Sequence, residues 1–231
     1  MSTATTPERV QTLDRGLQAL SVIAARGPIG MAALALALGV DRRICYRLVA
    51  TLEAHAFVTR LADGTAILGP GLLPLMQGVH ARLRLHGQEA VDALARDTGQ
   101  TAFLSVAAGE DCLALLTSPG KSGLLEITYR VGARHPIGRG AAGIAILSAR
   151  SQQPGDSAQV VQARQDGWSA TSGELQPGAH GIAVPLRAGF LSRAGIEACL
   201  GVVSAQPLDL SSTVAALDAA TTCLVAQLDG A

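Results

Sequence analysis

Six consecutive residues, Gly138-Arg139-Gly140-Ala141-Ala142-Gly143, satisfy the pattern G-x-G-x-x-G. Two chemistries use such a loop. A dinucleotide-binding enzyme needs a strand directly before it, a helix after it and an acidic residue about 20 positions on. A helix over Ala141 to Ala149 is expected, but Ala133 to Ile137 separates the motif from the nearest preceding strand-like run. An NAD-binding oxidoreductase is therefore the weaker of the two readings. The stronger needs only the loop and the helix. A glycine-rich turn opening a helix presents unpaired backbone N–H groups and the positive end of the helix dipole, which suits a carboxylate.

A second set of residues is basic. Arg42, Arg43, Tyr46 and Arg47 fall within six positions, outside an apolar stripe formed by Cys45, Leu48, Val49 and Leu52. Arginine forks pair bidentately with guanine edges or grip phosphates. The plainer alternative is a solvated helix face. Charge along the chain favours the first: residues 1–85 hold nine Arg against five acidic residues, whereas residues 86–231 are net acidic. Only the first third is thus suited to a polyanion.

Other chemistries lack their parts. There is no G-x-S-x-G, and the five histidines lie in unrelated contexts, so no catalytic residues are assigned. Cys45, Cys112, Cys199 and Cys223 sit among apolar neighbours without metal spacing and read as buried free thiols. Neither a metal nor a cofactor is expected. No apolar run approaches the roughly 18 residues of a membrane span. Met1 to Glu8 lacks an apolar leader segment, so a cytoplasmic protein is expected.

The elements that must position these residues follow from periodicity. Val10, Leu13, Leu17, Leu20 and Ala24 mark an amphipathic helix over residues 8–26, ended by Gly27-Pro28. A short helix, Met31 to Leu38, precedes the turn at Gly39, and Asp41 is a good N-cap for a third helix. Two short helices about a glycine turn make a helix-turn-helix, with the basic residues at the start of the recognition helix. Phe57 to Leu61, Ala62-Asp63-Gly64 and Thr65 to Leu68 read as a hairpin, or wing, carrying Arg60. Gly69-Pro70-Gly71 breaks the chain. A linker helix is expected from Leu72 to about Leu85, and another helix from His86 to Gly99. Strands are expected at Thr101–Ala107, Cys112–Thr117, Leu124–Val131, Gly181–Leu186 and Cys199–Ser204, forming an antiparallel sheet, with a last helix over Ser212 to Leu228. The domains are 1–70 (DNA-binding), 71–85 (linker helix) and 86–231 (effector-binding and oligomerisation).

Val10-Gln11-Thr12-Leu13-Asp14-Arg15-Gly16-Leu17, Tyr46-Arg47-Leu48 with Thr51-Leu52-Glu53, and Leu68-Gly69-Pro70-Gly71-Leu72 resemble the IclR (isocitrate lyase regulator) family in order and spacing. In the second half Asp97 to Thr101, Arg130-Val131-Gly132, Gly173-Glu174-Leu175 and Gly181 to Pro185 continue the resemblance. It implies an α+β protein with a winged helix-turn-helix, a linker helix and a GAF-like antiparallel sheet flanked by helices. It further implies a transcription regulator, repressor or activator, that pairs as a homodimer or dimer of dimers on palindromic double-stranded DNA. Arg15 joins Arg42, Arg43, Tyr46, Arg47 and Arg60 as a DNA contact. The family's loop holds small organic acids, which maps to Gly140 and Ala141. The pocket positions fall on Ser172, Gly181 and Ser204, with Arg139 beside them, and several are less polar than the family's. A ligand larger or more apolar than a two-carbon acid follows. Ser148 to Asp166 is shorter than the family's stretch.

Overall fold

The computed structural model describes residues 10–78, 81–120 and 129–230. The chain divides into two compact units, Met1–Ala81 and Arg82–Ala231.

The first unit runs α1 (Gln11–Arg26), β1 (Ile29–Gly30), α2 (Met31–Leu38), α3 (Arg42–Ala54), β2 (Val58–Arg60), β3 (Thr65–Leu68) and α4 (Leu72–Gly78). Its helices form where their apolar residues can share one core: Ala19, Ile23, Leu34, Ala35, Cys45, Val49, Val58 and Ala66 pack into one buried cluster. Gly39 ends α2 in the left-handed conformation, and the Asp41 carboxylate accepts the Arg43 backbone N–H at 2.7 Å to start α3. Pairing is antiparallel, and β3 lies between β1 and β2. The two-residue β1 falls between the Gly27-Pro28 turn and α2, at Ile29 and Gly30, where the sequence pattern predicts no element. Gly69 and Gly71 are required by close approach: a Cβ at either would stand 2.2 Å or 2.6 Å from the backbone oxygen of Ala56 or His55.

The second unit begins with α5 (Ala81–Thr98), then β4 (Thr101–Ala108), β5 (Asp111–Ser118), β6 (Arg134–Pro136), α6 (Gly140–Ala149), α7 (Ala158–Asp166), β7 (Ser169–Ser172), β8 (His180–Leu186), α8 (Gly189–Ala194), β9 (Ala198–Ser204) and α9 (Leu210–Gly230). The helix expected from His86 thus starts at Ala81 and takes over the end of the expected linker helix. The reason is Leu83, fully buried, which continues the stripe of Gly87, Val91, Leu94 and Ala95 along one helix face. The expected strand at Leu124–Val131 lies outside the described residues up to position 128, and Tyr129 to Val131 is irregular.

The sheet order is β6-β5-β4-β9-β8-β7, antiparallel throughout. Strand alternation gives it two apolar faces. Ala102, Leu104, Val106, Ile182, Val184, Leu186, Leu200 and Val202 pack with Val91, Leu94, Leu217, Leu224 and Leu228 of α5 and α9. Phe103, Ala183 and Cys199 point the other way, into a cluster with Ala141, Ala142, Ala145 and Ile146 of α6. Helix α6 is buried on nearly all sides, because α7 covers it through Ile144, Val160 and Ala163.

Candidate functional site

The basic residues of α3 stand where its apolar face leaves them. Cys45, Leu48 and Val49 are buried, while Arg42, Arg43, Tyr46 and Arg47 are exposed. Arg15 on α1 is half-buried. Arg60 on β2 is exposed but not unpaired. Its guanidinium reaches the Glu53 carboxylate at the end of α3, with Nε donating at 2.9 Å and Nη2 at 2.7 Å. That hydrogen bond holds the Glu53 carboxyl below the ordinary carboxylate range. The β2–β3 hairpin and α3 are thus joined by a charged pair. Glu53 belongs to Thr51-Leu52-Glu53, but nothing in the spacing ties it to Arg60.

In the second unit a cavity of about 240 Å³ opens between the start of α6 and the sheet. Phe103, Tyr129, Ala142 and Val203 give it an apolar floor, and Thr171, Glu174, Leu175 and Gly181 close it from the β7–β8 side. The Phe103 and Tyr129 rings lie 4.9 Å apart, tilted by 58°. Phe103 can lie flat because Gly201 faces it: a Cβ there would be 2.4 Å from the ring. The Tyr129 hydroxyl is 3.4 Å from both Ser105 Oγ and His135 Nε2. Burial pushes the phenol up from its usual range, so it stays neutral.

Of the expected ligand contacts, Ala141 and Gly181 line this cavity. The Gly140 N–H donates to Glu174 Oε2 at 2.9 Å, and the Ala141 N–H to Thr171 Oγ1 at 3.1 Å. The two amides expected to hold a ligand carboxylate are therefore occupied from within the chain. Arg139 donates to the Glu174 carbonyl oxygen. Ser172 is exposed, and Ser204 is buried with its hydroxyl accepting the Gln206 N–H at 3.0 Å; neither lines the cavity. Sequence reasoning passed over Phe103, Tyr129, His135, Thr171 and Glu174. Only Glu174 carried a signal, as part of Gly173-Glu174-Leu175.

The glycine motif does not sit in a dinucleotide fold. A strand does precede it, β6, but this is a three-residue edge strand antiparallel to β5, and every described pairing in the sheet is antiparallel. A Cβ at Gly143 would lie 2.1 Å from the Ile137 oxygen, so that glycine serves close packing of α6 on its own entry loop. Three cysteines are buried as expected; Cys223 on α9 is exposed instead. Burial lifts the Cys112 thiol to about 11. Among the described residues no group of His, Cys, Asp and Glu could hold a metal ion, and no helix is long and apolar enough to cross a membrane.

Comparison with solved structures places this fold. An IclR homolog from Microbacterium hydrocarbonoxydans, solved with 4-hydroxybenzoate, aligns over 95% of this chain and 100% of its own, with a TM-score of 0.78 and 20% identity. An IclR transcriptional regulator from Alicyclobacillus acidocaldarius aligns over 96% and 100%, with a TM-score of 0.75 and 20% identity. The IclR of Thermotoga maritima aligns over 95% and 99%, at 0.66 and 16%. No protein-family model and no curated protein matches the sequence. The chain has the mixed helix and sheet fold of the IclR transcriptional regulators over nearly its whole length.

Proposed function

We propose that this chain is a DNA-binding transcription regulator whose second domain binds a small-molecule effector. The observation that carries the reading is the α2–α3 pair. A buried stripe fixes α3 against its own unit and leaves Arg42, Arg43, Tyr46 and Arg47 exposed on the helix's first two turns. In this reading α2, Gly39 and α3 are a helix-turn-helix, α3 enters the major groove, and the β2–β3 hairpin is a wing over the backbone. Arg15 and Arg60 add contacts to the phosphates. The second domain is GAF-like, with the cavity beside α6 as the effector site. The protein works in the cytoplasm as a homodimer or dimer of dimers on a palindromic operator, because one such domain reads only a half-site. The regulated genes serve metabolism or catabolism of the effector's class.

Regulation follows from linkage. An effector that binds one arrangement of the sensor domain better shifts the protein toward it, and a coupling of about 1–3 kcal/mol changes DNA affinity roughly 5–150-fold. The test is titration onto the DNA upstream of the protein's own gene across a salt series, beside the Arg42→Ala/Arg43→Ala variant. Tight binding that weakens steeply with salt, and is lost in the variant, is expected. Equal binding by both proteins would reject the assignment of α3.

A further inference from the structure

The cavity beside α6 has one feature that separates it from a general acid-binding pocket. A ligand carboxylate held in a cavity is best served by a free cation or several unclaimed N–H groups. Here the N–H groups of Gly140 and Ala141, at the start of α6, are claimed. Glu174 places one carboxylate oxygen 2.9 Å from the Gly140 nitrogen and receives the Gln159 Nε2 on the other at 2.5 Å. Thr171 takes the Ala141 N–H. The basic side chains in the described lining have partners within the chain as well. Arg134 pairs with Asp111 at 3.2 Å, and His135 has its two ring nitrogens within 3.1 Å of the Pro136 oxygen and 3.4 Å of the Tyr129 hydroxyl.

We propose that Glu174 fills, with the chain's own carboxylate, the position at the start of α6 where an acid would bind, and that the cavity consequently selects an uncharged, ring-sized ligand. This inference rests on the cavity being the effector site. What remains open to a ligand is chiefly apolar surface from Phe103, Tyr129, Leu175, Ala142 and Val203. An entering carboxylate would have to displace Glu174 or lie beside a second negative charge; an amide, phenol or ketone of the same size meets neither cost. About 240 Å³ is room for a single substituted ring.

Calorimetric titration of the full chain with 4-hydroxybenzamide and 4-hydroxybenzoate distinguishes the outcomes, because the two probes differ only in charge and one polar atom. The wild type is expected to bind the amide at least ten-fold more tightly. In Glu174→Ala, which empties the position and removes its charge, the preference narrows or reverses; Glu174→Gln, which keeps the shape without the charge, gives an intermediate ratio. Retained amide binding in both variants shows that they remain folded. Gly181→Val, which adds side-chain bulk to the cavity wall, is expected to abolish binding of either probe. Wild-type binding of 4-hydroxybenzoate as tight as that of the amide would overturn the proposal while leaving the effector site in place. Tighter binding of 4-hydroxybenzylamine than of the amide would overturn it in favour of a cation. Binding of neither probe, or binding unaffected by Gly181→Val, would overturn both the proposal and the placement of the effector site.

Discussion

At the start of α6, single atoms decide what the loop can do. Ser169 is 3% exposed, and its hydroxyl donates to the Ala141 oxygen at 2.6 Å, tying the edge strand β7 to the first turn of the helix. Ser169→Ala removes a buried hydrogen bond and is expected to cost about 1–3 kcal/mol, read as a lower urea midpoint at unchanged slope. The glycines of the G-x-G-x-x-G run are not equivalent. Gly143→Ala drives a methyl into the Ile137 carbonyl and is expected to cost about 1–3 kcal/mol as overpacking. Gly138 has nothing within 4 Å of a would-be Cβ and no positive φ; Gly138→Ala is expected to stay within about 0.5 kcal/mol. Thermal melts of the two variants side by side check this, and equal losses would show that the motif is constrained as a unit.

Elements were legible where packing writes a period into the sequence. The boundaries of α2 and the cap of α3 were readable because a stripe of apolar residues, a glycine turn and an aspartate each have one efficient use there. Asp41→Ala is expected to destabilise the first unit by about 0.5–2 kcal/mol, measurable by thermal denaturation. The strand β7 was missed because Ser-Ala-Thr-Ser at a sheet edge carries no apolar alternation. The strand β6 was missed because a proline ends it, which an edge position tolerates. The cavity was illegible for another reason: Phe103, Tyr129, Glu174 and Val203 are far apart in sequence and meet only after β9 has inserted between β4 and β8. The Glu53–Arg60 clamp joins two elements and has a pH signature. The folded state lowers the Glu53 carboxyl, so its contribution is present above the unfolded value and is lost as pH falls through the lower, folded one. Glu53→Gln is therefore expected to flatten the acid limb of the first unit's stability curve. An unchanged acid limb would show that the pair is formed but idle.

For the whole molecule, read as the DNA-binding regulator proposed above, the charge split between the two parts of the chain makes salt the most informative variable. Each phosphate contact steepens the dependence of affinity on salt by about one power. Replacing Arg42 and Arg43 together is expected to lower that slope by about two if both grip phosphates. If they read base edges instead, the loss falls on cognate DNA alone. The β7–β8 hairpin has a consequence of a different kind. Thr171, Glu174, Leu175, Gln176, Ala179 and Gly181, six of the fourteen described lining residues, come from this one short stretch. Its strands pair locally, Ser172 with His180 and Thr171 with Gly181, so the intervening loop is bounded by its own ladder. Under the proposed reading, duplication followed by drift confined to about a dozen codons gives a sister protein with a new chemical cue while its operator stays the same. In the laboratory, randomising the same stretch as a cassette is then expected to yield a family of sensors on one promoter.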